Sequence, residues 1–143
     1  MKSKQVLDVH QMQHLQELGL EMKETMLYWA RCVDNNPRAA THYGKWVLIK
    51  GNNAQTVGLM HWEFIPAYTL QDMLDALPDF IDEHCLIIDM SFGVIRYDNL
   101  KGKNSPILKE IYFNDEDNYL IDSAYELLVW CVENKFVETN KNE

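Results

Sequence analysis

Basic residues are scarce in this sequence: 13 lysines and arginines stand against 22 aspartates and glutamates, a formal net charge of −9. Sequence-independent binding to phosphate backbones or anionic lipid needs cations in excess, so neither direct nucleic-acid binding nor membrane association is expected. Glycine is sparse too, with six residues in 143, and there is no phosphate-cradling Gly-rich loop, no Gly-x-Ser-x-Gly elbow and no pair of Cys-x-x-Cys motifs. The three cysteines, Cys32, Cys85 and Cys131, are an odd number and each lies in an apolar stretch. They read as buried thiols of a reducing compartment, not as a disulfide framework. No apolar run reaches membrane-span length, and Met1 to Asp8 lacks the apolar stretch of a signal peptide, so a cytoplasmic location is expected.

What is present is a globular composition, 47% hydrophobic and 24% charged, with four tryptophans and seven tyrosines. General disorder is excluded. The length suits a single domain over residues 1–137 that buries about two-thirds of its unfolded surface. Residues 138–143 contain no apolar side chain and are expected to fray.

The strongest pattern is Tyr119 to Asn134, where Leu120, Ile121, Ala124, Leu127, Leu128, Cys131 and Val132 recur at the helical period and leave only Asp122, Glu126 and Glu133 as a charged stripe. So wide an apolar face needs a sheet and another helix to cover it. A short helix is expected from Val9 to Leu18, capped by Asp8 and stopped by Gly19. A second begins at the Thr69-Leu-Gln-Asp72 capping box and ends at Pro78. Apolar runs over Thr25 to Val33, Lys45 to Lys50, Gly58 to Phe64 and Ile107 to Phe113 suit strands, and Cys85 to Met90 with Val94 to Tyr97 suits a hairpin. Pro66 should break its ladder. The expected fold is α+β, a mostly antiparallel sheet of about five strands packed on two main helices, plus the short N-terminal helix.

Candidate chemistry is thin. His10 and His14 share a helical face but lack a third ligand nearby, while His61, Glu63 and His84 could join a metal site only through tertiary contact. His84 beside Cys85 suggests a nucleophile pair, yet neighbours on a strand point to opposite faces. Asp72, Asp75, Asp79, Asp82 and Glu83 would form one carboxylate stripe if the helix ran through Pro78; a solvated face opposite Leu70, Leu74 and Leu77 is the simpler reading. Arg96, Lys101, Lys103 and Lys109 make a small basic patch of the kind that keeps a sheet edge soluble. Of the large aromatics Tyr28, Trp29, Trp46, Trp62 and Trp130, most belong in the core; Trp130, beside the charged stripe, is the candidate for a contact with a partner. No catalytic residue, metal ligand set or cofactor is identified. The interaction candidates are Asp72, Asp75, Asp79 and Trp130.

Three pieces, Leu15 to Leu20, Pro66 to Pro78 and Leu120 to Val132, together resemble a class of small proteins of bacterial prophages and related mobile elements that carry no assigned activity. The resemblance implies an accessory protein of a mobile genome and transfers no catalytic residue. The leading functional expectation is therefore a non-enzymatic cytoplasmic domain that binds a protein partner or a second copy of itself. A small metal-assisted hydrolase using His61, Glu63, His84 and the acidic stripe is one alternative; an acidic decoy that inhibits a DNA-processing enzyme is the other.

Overall fold

The structure is a computed structural model that describes residues 4–33, 44–51, 62–100, 106–114 and 118–140. In chain order the elements are α1 (Val9–Glu17), β1 (Leu27–Cys32), β2 (Val47–Lys50), β3 (Trp62–Pro66), α2 (Leu70–Ala76), β4 (Phe80–Ile81), β5 (His84–Asp89), β6 (Val94–Asp98), β7 (Ile107–Tyr112) and α3 (Leu120–Glu133). Among the described residues the fold is α+β with three helices and two antiparallel sheets, ordered β2-β1-β3 and β4-β5-β6-β7. The single sheet of about five strands on two helices does not form. Alternating apolar residues record that a strand has a face to bury, but not which neighbour it pairs with. Here α2 separates two groups of strands, and each group closes on itself. The ladder of β3 runs to Pro66, opposite Tyr28, and stops there; Pro66 is tolerated because β3 is an edge strand. The first part of the expected strand, residues 58–61, lies outside the described residues.

The core gathers around α3. Ile121, Ser123, Ala124, Leu127, Leu128, Cys131 and Val132 are buried, and the helix packs against α2, β6 and β7. Ser123 is the one polar residue among them. Its hydroxyl donates to the Tyr112 carbonyl at 3.0 Å and accepts from Asn118 Nδ2 at 2.8 Å, so the buried group is satisfied and α3 is tied to the end of β7. Towards the other end of α3, fully buried Tyr97 of β6 lies with its hydroxyl 3.9 Å from Cys131 Sγ and donates it to the Pro78 carbonyl at 2.7 Å.

The expected Asp8 cap forms, completed into a box by Gln11, and the expected Thr69–Asp72 box forms too. Asp8 Oδ1 accepts from Gln11 N while Gln11 Oε1 accepts from Asp8 N, and α2 is capped by Thr69 and Asp72 in the same reciprocal way. Helix α2 ends where Leu77 turns extended ahead of Pro78.

A contribution with no local signal comes from residues 4–7. Leu7 is fully buried, its amide donates to the Tyr68 carbonyl and its carbonyl accepts from Trp29 Nε1, both at 2.9 Å. Val6 bridges to Thr69. The segment thereby joins the start of α2 to β1. Among the described residues no helix is long and apolar enough to cross a membrane.

Leu7→Ala should lower unfolding free energy by about 2–5 kcal/mol through lost burial and a residual cavity, read from the shift in urea midpoint. Met26→Ala, at a side chain 82% exposed, should stay within about 0.5 kcal/mol of the parent. Equal midpoints for the two variants would remove residues 4–7 from the core.

Candidate functional site

Because α2 stops at Ala76, the acidic stripe does not form. Asp79, Asp82 and Glu83 follow the helix, with Asp82 in the left-handed region at φ 53° and Asp79 exposed. Asp72 is a structural carboxylate. Its Oδ2 accepts from Thr69 N at 2.9 Å, Thr69 Oγ1 at 3.0 Å and Thr25 Oγ1 at 2.7 Å, which caps α2 and fastens the segment ahead of β1 to it. Asp75 is exposed and accepts from Gln71 Nε2 one turn away.

Asp72 and Asp75 nevertheless share a cleft of about 360 Å³ with Glu21, Glu24 and Glu138, where Lys23 is the one cation among the described residues. Leu20, Tyr68, Ala76 and Val137 supply its apolar lining. The Tyr68 hydroxyl accepts from Lys23 N at 2.8 Å; burial, with Asp72 adding to it, raises the phenol above its ordinary range and keeps it neutral. An apolar floor with a rim of carboxylates suits a lysine or arginine side chain brought by another molecule.

The residues considered for metal chemistry are dispersed. His14 Nδ1 and the Tyr125 hydroxyl are 2.5 Å apart, which commits the half-buried His14 to α3, while His10 is exposed. His61 lies outside the described residues. Glu63 of β3 is ion-paired to Arg31 of β1, whose guanidinium sits 4.7 Å from the Trp46 ring centre. His84 is on the other sheet, with Nδ1 3.3 Å from the Ile81 carbonyl and a buried Nε2 that has no hydrogen-bond partner among the described residues. Cys85, its strand neighbour, points to the opposite face and donates to the Asp98 carbonyl at 3.5 Å. Among the described residues no three histidine, cysteine, aspartate or glutamate side chains are grouped to hold an ion.

The charged stripe of α3 is partly paired. Lys4 Nζ donates to Asp122 Oδ1 at 2.7 Å and to Gln11 Oε1 at 2.8 Å, and Gln11 Nε2 donates to the same Asp122 oxygen at 2.9 Å. Of the expected basic patch, Lys101 and Lys103 lie outside the described residues, and Arg96 is bound to Asp98 at 3.1 Å and Asp89 at 3.6 Å.

Trp130 is half-buried, its ring centre 6.4 Å from that of Tyr97 and 5.4 Å from that of Phe136. More exposed apolar side chains lie elsewhere: Met26, Phe80 and Leu100 stand apart in the chain, and three more lie at the end of the second sheet where β5 turns into β6, with Met90 59% exposed, Phe92 78% and Tyr112 62%. The backbone there is fixed. Asp89 Oδ1 accepts from Ser91 N at 3.0 Å and Phe92 N at 3.2 Å, and Gly93 takes φ 66° with its carbonyl bonded to Phe113 N at 2.8 Å. A Cβ on Gly93 would stand 2.7 Å from the Phe113 carbonyl oxygen, so the turn admits glycine alone. The sequence signal was available: a turn between polar ends normally carries polar residues, and Met90 and Phe92 are not polar.

No family model, curated protein or solved structure matches the chain.

Cys131 is fully buried; burial pushes its thiol up to about 11, and its contact with Tyr97 pulls the other way. Burial, then the neighbouring Cys131, also raises the Tyr97 phenol. In the unfolded chain these groups lose protons from about 8.5 for cysteine and about 10 for tyrosine. Where only the unfolded state deprotonates stability falls, so their stabilisation is complete below about pH 8.5; the Cys131 share is lost as pH rises toward 11 and the Tyr97 share declines above about pH 10. The urea midpoint should fall across that window, less steeply in Cys131→Ala. A slope unchanged by the substitution would sink the assignment.

Asp72→Ala should cost about 0.5–2 kcal/mol through loss of the α2 cap, while Asp75→Ala should stay within about 0.5 kcal/mol, both from denaturant midpoints. The reverse order would mean that Asp72 does not hold α2.

Proposed function

We propose that this chain is a non-enzymatic accessory domain, acting in the cytoplasm, that binds a protein partner through the corner formed by Met90, Phe92 and Tyr112. The observation that carries this reading is that three large apolar side chains stand in water on a locked backbone. Exposed apolar clusters mark interaction sites, and aromatic anchors dominate binding energy. A turn already fixed by Asp89 and Gly93 loses little conformational freedom on binding, so more of the contact energy appears as affinity. The resemblance of Leu15 to Leu20, Pro66 to Pro78 and Leu120 to Val132 to prophage and mobile-element proteins supports an accessory role in such a genome.

The acidic cleft favours a second reading, a decoy that occupies the basic surface of a DNA-processing enzyme. Glu21, Glu24, Asp75 and Glu138 are exposed on it, and charge contacts of that kind weaken with salt.

The test is affinity capture from the native host with three tagged forms: the parent chain, Met90→Ser with Phe92→Ser, and Asp75→Asn with Glu24→Gln. Asp72 is left intact because it caps α2. The expected result is a partner, or a second copy of the chain, that withstands high salt on the parent and loses at least about tenfold in affinity, on the order of 1.4 kcal/mol, on the Met90 and Phe92 variant. Release by salt together with loss on the Asp75 and Glu24 variant would replace this reading with the decoy. A partner held equally by all three forms would overturn both.

A further inference from the structure

No further inference is drawn: the strongest candidate, the wholly apolar face of the three-stranded sheet on which the fully buried Ala30 and Cys32 of β1 lie beside Val47 of β2 and Phe64 of β3, carries nothing, because nothing among the described residues shows what covers it.

Discussion

Burial of α3 sets the conditions for everything around it. Its apolar residues occupy too much of the helix circumference for any single surface to cover, so the helix is enclosed by α2 and by β6 and β7. That enclosure forces the polar groups at its margins to be paired. Ser123 is bonded to Tyr112 and Asn118, Asp122 to Lys4 and Gln11, and Tyr125 to His14. Each of these contacts recruits a different part of the chain, and a buried polar group left without one would cost as much as several apolar contacts contribute.

The elements whose causes are local were legible in the sequence. The Asp8 cap and the Thr69–Asp72 box each act within one turn, and the hairpin turn at Ser91 to Gly93 is confined to its own neighbours. What escaped was pairing at a distance. The division into two sheets depends on which strands meet after α2 has intervened, and β4 is two residues long, too short to show a period. Val6 and Leu7 are too short an apolar run to show a period; only the contacts of Leu7 with Tyr68 and Trp29 reveal it as core.

The candidate site follows the same division. Pro78 ends α2 as the sequence suggests, and that ending is what disperses the carboxylates expected to line up beyond it. Asp72 was legible both as a capping residue and as an interaction candidate, and the structure engages it in the cap; Asp75 alone of the three aspartates is both exposed and on the cleft. Periodicity placed Trp130 beside the charged stripe, but not Phe136, which approaches it from beyond the helix end. Met90 and Phe92 were readable as turn neighbours, and their exposure depends on how the second sheet is arranged around them.

The bond from Lys4 to Asp122 spans 118 positions of the chain, and Asn140 reaches back to the Gly19 carbonyl. During synthesis the segment holding Leu7 leaves the ribosome long before α3 exists to anchor it. At about 5–20 residues per second, that interval lasts many seconds. A nascent chain halted before Tyr119 would hold Lys4 without its Asp122 partner and the core faces of α2 and β6 without α3, open to chaperones and proteases, and the core would close only after translation of its last helix.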